Sequence, residues 1–446
     1  MANRDKIFER VTALRPAKSG GRRDSEPGSA RPDLGGVRGY MTDLPAGWER
    51  LAGLLCAQIG ANRFGEHLFV RRWHEAPEAF ACSIAALRLI APGAPEIAAD
   101  LRNWLFLDTE TTGLAGGTGT YPFLVGLAWW DGGGLQVEQF FMRDHSEEHS
   151  VLLALNERIA ERPVLVTFNG KAFDWPLLET RFRMTRSIWP RELEAHLDLL
   201  HPARHLWRLR LGSVRLAELE WHVLGRRREV DVISELIPQI YFEYLSGGAP
   251  DALVPVFLHN QMDLVGLARL AGRMFSLLAA PESAGADAYE FYGMSRICER
   301  RGDDARARGL YARAIAGELP RTADRAARAA LARLAKREGD FQLATSLWME
   351  LRGALPDGIA AYEELAKYYE HRERAPARAA DLIGEALAEI RRARNARFMD
   401  AMAYAKARER LGHRLARLRG KIGESLGAPL LSSPAAESRD LPAESK

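Results

Sequence analysis

At 446 residues the chain is too long for a single hydrophobic core, so two or three domains are expected. Its 47% hydrophobic and 27% charged content is that of a globular protein, and a net charge of +3 permits nucleic acid as a partner without demanding it. Three scattered cysteines, Cys56, Cys82 and Cys298, argue against a disulfide framework and suit a reducing cytoplasm.

The N-terminal residues carry no apolar signal-type core. Residues 17–39 are rich in Gly, Ser, Pro and Arg, so residues 1–45 read as a flexible basic leader. Residues 46–103 mix helical and strand-like patches (WERLAGLLCAQI, HLFVRRW) and read as an extension packing on the domain that follows.

From Trp104 the pattern sharpens. Trp104–Leu107 is an apolar run expected as a central strand, and FLVGLAWW (Phe123–Trp130) is a second strand. Asp131-Gly-Gly-Gly134 is a hairpin turn, and LQVEQFFM (Leu135–Met142) is a third strand. Ser146 to Ala160 has a helical period, with Ser146 expected as its N-cap. Val164–Thr167 is a fourth strand, and helices are expected from Trp175, Leu216, Ser234 and Ala252. A three-strand meander followed by helix, strand and helix is a mixed α/β sheet. The most apolar later stretch, Leu264 to Ala280, is broken by Arg269 and Arg273, so no membrane span is expected.

Beyond Gly285 the chain is Ala- and Arg-rich and helical. Arg296–Pro320 and Arg333–Pro356 align, each with a helix, a Gly-Asp break, a second helix and a closing Pro. The 37-residue offset from Gly302 to Gly339 is close to the ~34 of tetratricopeptide units. An all-α, TPR-like repeat domain is expected over 285–422, able to offer a concave face to a protein partner, with a disordered tail over 423–446.

Three short motifs carry candidate chemistry. In LDTETTG, Asp108 and Glu110 lie at i and i+2, on one face of a strand, where two carboxylates repel unless a cation sits between them. Taken alone, the pair reads equally as solvated acids at a strand end. In FNGKAFDW, Asp174 opens a helix, where an ordinary N-cap is the simpler role. In LHNQMD, His259 and Asp263 are four apart and face one side of a helix, as many solvated pairs do. A GGTG loop (116–119) lacks the Gly-Lys-Ser/Thr ending of a P-loop. The Arg-rich HLDLLHPARHLWRLRLG, with Arg226 to Arg228 and Lys171, reads either as a track for a phosphodiester backbone or as a solvated basic face. Trp207 reads as a buried core residue before a base-stacking one.

In this order and within one α/β domain, the motifs resemble the DEDD superfamily of 3′–5′ exonucleases. The longer stretches LDTETTGLAGGTGTYPFLVGLAWW, FNGKAFDWPLLETR, HLDLLHPARHLWRLRLGSVRLAELEWHVLG and HNQMDLVGLARL look like the YprB-type family. The resemblance implies a ribonuclease H-like exonuclease domain over 104–280, often followed by a tetratricopeptide-like tail. It implies that Asp108, Glu110, Asp174 and Asp263 hold two divalent cations, Mg²⁺ or Mn²⁺. It places Thr111, Thr112, Leu114, Asn169, Lys171, Phe173, Asp198 and Asn260 at a single-stranded 3′ end of DNA or RNA, although Asp198 reads equally as a capping acid before a basic surface helix and Asn169 as part of a turn. His259 stands four before Asp263, where one exonuclease branch has tyrosine; the other branch has histidine five before. It is expected to take a proton from the attacking water or to orient it. The alternative reading is a nucleic-acid-binding scaffold whose repeats recruit a partner.

Overall fold

The computed structural model describes residues 44–75, 80–113, 118–228, 231–353 and 358–426. The expected leader up to residue 43, the tail from 427, Leu114 and the Gly116–Gly117 stretch lie outside the described residues. The chain forms two compact units that meet in sequence at Gly317 and Glu318.

The first unit is built on a seven-stranded mixed sheet in the order β1-β2-β5-β4-β3-β6-β7. β3 (Trp104–Thr111) pairs antiparallel with β4 (Pro122–Asp131), and β4 with β5 (Gly134–Phe141), giving the expected meander. Its hairpin is a two-residue turn in which Gly132 and Gly133 both have positive φ (57° and 84°), which only glycine adopts cheaply. On its other side β3 runs parallel to β6 (Val164–Thr167), and β6 runs parallel to β7 (Ala195–Asp198). A strand buried on both faces needs apolar residues at consecutive positions, and Trp104–Leu107 supplies them.

The segment before Trp104 extends this sheet. After helix α1 (Trp48–Leu55), β1 (Gln58–Asn62) and β2 (Gly65–Glu75) form a hairpin, and β2 pairs along β5 from Leu68↔Phe141 to Glu75↔Gly134. Helix α2 (Ile84–Ile90) follows. Helix α3 (Glu148–Glu161) begins after a 3-10 turn, and Asp144, not Ser146, caps that turn by accepting from the Ser146 N–H at 2.6 Å. Helix α4 (Asp174–Thr185) follows β6, and α5 (Leu200–Leu211) follows β7. The chain continues with α6 (Leu216–His222), a 3-10 turn at Ser234–Leu236, α7 (Ile237–Leu245) and the long α8 (Val254–Ala279). α8 packs along β3, β4 and β5. Trp207 is fully buried in α5, its indole N–H donating to Glu290.

Helices α9 (Ala288–Arg300) and α10 (Asp304–Ile315) belong to this first unit. The second unit contains α11 (Arg321–Glu338), α12 (Phe341–Leu351), α13 (Gly358–His371), α14 (Pro376–Asn395) and α15 (Ala401–Leu426), each packed on the next. The two Gly-Asp breaks have the same local form. Gly302 and Gly339 are left-handed (φ 76° and 85°), and Asp303 and Asp340 cap the next helix through the Arg306 and Leu343 N–H groups. No described helix is long and apolar enough to cross a membrane.

Candidate metal centre

Because β3 and β6 are parallel and adjacent, the loops beyond their C-terminal ends meet. Asp108 and Glu110 lie on the last half of β3, where the apolar run stops and a register shift follows Glu110. Asp108 opposes Gly126 of β4. That glycine is required: a Cβ there would lie 2.1 Å from Asn260 Oδ1. Asn260 of α8 uses the space. It donates to the Asp108 carboxylate at 2.7 Å and to the Asp108 carbonyl at 3.2 Å, and it accepts from Gln139 at 2.8 Å. Asn260, expected at the substrate, is therefore fully enclosed, its amide nitrogen committed to Asp108 and its amide oxygen to Gln139.

Asp174 is the first residue of α4 rather than its N-cap, and its carboxylate accepts from the Thr109 hydroxyl at 2.6 Å. The turn before it is shaped by Asp198 at the end of β7. Asp198 accepts from the N–H groups of Asn169 (2.8 Å), Lys171 (3.1 Å) and Leu200 (3.0 Å), so its oxygens face the turn. Asn169 is left-handed (φ 74°), and a Cβ on Gly170 would strike Thr167 at 2.5 Å. Lys171 and Phe173 are exposed beside this turn. Thr111 donates to the Gly113 carbonyl, and Thr112 accepts from the Tyr121 N–H, closing the base of the β3–β4 loop.

On α8 the predicted i,i+4 pair is present. His259 Nε2 lies 3.4 Å from Asp263 Oδ2 and 3.9 Å from Glu110 Oε1. One ligand atom from each of Glu110, His259 and Asp263 fits within 4.8 Å of the others.

The electrostatics follow from burial and like charge. Burial pushes the Asp108 carboxyl well above the carboxylate range, and Asp263, Glu110 and Asp174 push it further; the Asn260 hydrogen bond opposes them. Burial raises Glu110 to about 8 despite the opposing pull of His259, with Asp263 and Asp174 adding to the rise. Asp174 is raised by burial against the Thr109 hydrogen bond. Burial disfavours a charged His259, but Asp231, Asp263 and Glu110 outweigh it and hold the imidazole at about 9.

Two further neighbours complete the surroundings, of which only Asp231 went unnamed in the sequence. Asp231 bonds His259 Nδ1. Arg228, expected either on a track for a phosphodiester backbone or on a solvated face, is nearly buried and pairs with Asp263, with Asp231 Oδ2 at 3.1 Å and with Glu220 Oε1 at 2.6 Å. Glu220 in turn lies under Gly266, where a Cβ would sit 1.9 Å from Glu220 Oε1. An acid on α6, Glu220, six residues ahead of the run from Arg226 to Arg228 was the available signal.

The sequence pattern of the RNase_H superfamily matches residues 105–275, which span β3 through most of α8. The chain is 32% identical over 322 residues to a Bacillus subtilis (strain 168) protein named "Uncharacterized protein YprB", covering 72% of this chain and 75% of that protein. The chain belongs to the YprB family. Its sheet and flanking helices are those of an RNase H superfamily domain, with a helical region after it. The matched span contains Asp108, Glu110, Asp174, Arg228, Asp231, His259 and Asp263.

Proposed function

We propose that the chain is a metal-dependent 3′–5′ exonuclease that hydrolyses phosphodiester bonds at a single-stranded 3′ end. One observation carries the reading: four carboxylates from β3, α4 and α8 lie close enough that Asp263, Glu110 and Asp174 all raise Asp108. Such a set is costly without a cation and suits hard, oxygen-preferring divalent ions. Asp108, Glu110, Asp174 and Asp263 are the residues to hold two of them, Mg²⁺ or Mn²⁺. When bound, such ions lower the pKa of a water and neutralise charge building on a scissile phosphate. His259 Nε2 is placed beside two of these ligands, where it orients the attacking water or takes its proton. Lys171 and Phe173 are exposed beside Asp174, suiting them to a phosphate and a base. Membership of the RNase H superfamily supports action on nucleic acid. The helices of the second unit, each packed on the next, suit it to binding a protein partner.

The test is cleavage of 3′- and 5′-labelled single-stranded DNA and RNA with Mg²⁺ or Mn²⁺, by wild type and Asp108→Ala. Stepwise 3′ shortening by the wild type alone is expected. A folded, metal-loaded protein that cleaves neither strand type would replace this reading with that of a nucleic-acid-binding scaffold.

A further inference from the structure

We infer that Asp231 and His259 form a working dyad, with Asp231 as the positioning residue that fixes which imidazole nitrogen faces the carboxylates and Arg228 as its brace. The inference rests on the nuclease reading for its chemistry but on this chain's own geometry for its form.

A histidine on a helix facing a group of acids has two ring nitrogens and can present either. Here Nδ1 is taken by Asp231, and Nε2 faces Asp263 at 3.4 Å and Glu110 at 3.9 Å. A carboxylate on Nδ1 keeps a proton on that nitrogen and turns Nε2 toward Asp263 and Glu110. The same bond opposes rotation of the ring, which is 9% exposed. Asp231 is able to serve because it comes from outside the carboxylate group and is itself anchored. Its second oxygen accepts from Arg228 Nη1 at 3.1 Å.

Arg228 makes the arrangement specific. Its guanidinium is 8% exposed and touches three acids: Glu220, Asp231 and Asp263. Glu220 binds it in a two-pronged contact, at 2.7 Å through Nε and 2.6 Å through Nη2. That pairing leaves the remaining guanidinium edge for Asp231 and Asp263, so one planar cation sets the spacing between the histidine's partner and a proposed metal ligand. Two residues close in sequence, at 228 and 231, thus hold two residues of α8, at 259 and 263.

A purely structural Asp231 would stabilise the fold and leave turnover alone. As a positioning residue it must act on kcat. The experiment uses the full chain with Asp231→Ala and Asp231→Glu, assayed on labelled single-stranded oligonucleotide with Mg²⁺, alongside ¹⁵N-histidine NMR with the His259 signals assigned by His259→Gln. The expected result is a kcat loss on the order of 10²-fold in Asp231→Ala, KM within about threefold, and partial recovery in Asp231→Glu. In the NMR arm, a hydrogen-bonded Nδ1 proton on His259 is present in wild type and lost in Asp231→Ala. Unchanged kcat, or an Nδ1 proton indifferent to Asp231, overturns the dyad. If wild type cleaves neither DNA nor RNA, the nuclease reading falls instead, and the NMR arm still decides whether Asp231 fixes the ring.

Discussion

Asn260 reaches from α8 to Asp108 on β3 and holds both its carboxylate, at 2.7 Å, and its backbone carbonyl, at 3.2 Å. The contact exists because Gly126, directly opposite Asp108, has no side chain to fill the space. Gly126→Ala would place a methyl 2.1 Å from Asn260 Oδ1. The amide is fully buried between Gln139 and Asp108 and has nowhere to go. The variant is expected to lose about 2–4 kcal/mol by urea unfolding, from overpacking plus a broken buried hydrogen bond, and to lose activity with it. A wild-type midpoint in urea would show that the Asn260 bridge is dispensable.

Much of this was readable beforehand, for physical reasons. β3 announces itself because a strand covered on both faces needs an unbroken apolar run, and the acids at its end break that run abruptly. β1 was not readable: QIGAN has no alternation to detect, and the strand exists because β2 pairs with it. β2 was partly hidden by Arg71 and Arg72, charges that look like surface. Arg71 pairs with the buried Glu138, and Arg72 is buried. The cap expected at Ser146 lies two residues earlier because Asp144 accepts from the Ser146 N–H and opens a 3-10 turn ahead of α3. The pairing of Arg228 was not readable because a run of arginines reads as a phosphate track or a solvated face until the fold supplies Glu220 beneath it.

Removing divalent metal should destabilise the protein, and more so at high pH. Glu110 has a folded pKa of about 8, above its ordinary 4.5, so its contribution falls as pH rises from 4.5 to 8. His259 is raised from 6.5 to about 9, so its contribution is full below 6.5 and is lost as pH rises through 9. Both slopes have the same sign. In EDTA the melting temperature should therefore drop between pH 6 and 9, and added Mg²⁺ should restore more of it at pH 9 than at pH 6. Equal Mg²⁺ stabilisation at both values would count against a metal held by these acids.

Neutralising one acid should separate stability from activity. Glu110→Gln keeps the shape of the side chain and removes a buried charge repelled by Asp263 and Asp174. Above pH 8 in EDTA the variant is expected to be more stable than wild type by about 1–3 kcal/mol, and near pH 5 to be indistinguishable from it. Mg²⁺ should stabilise it less than wild type, and cleavage should fall by at least about 10²-fold. A variant less stable than wild type at pH 9 would mean that Glu110 is satisfied by its neighbours without metal.

Asp198 is expected to act at a distance from the chemistry. It accepts from three backbone N–H groups, two of them in the turn that delivers Asp174. Asp198→Ala leaves these donors without an acceptor and should cost about 2–4 kcal/mol, while Asp198→Asn, which keeps one oxygen, should cost less. The turn also carries a left-handed Asn169, a conformation that needs outside support to persist. Once released, it should let Asp174 leave Thr109, so Mg²⁺ affinity and cleavage should fall together in the alanine variant and recover partly in the asparagine variant. If Asp198 instead touches the substrate directly, KM alone should rise while the urea midpoint stays at the wild-type value.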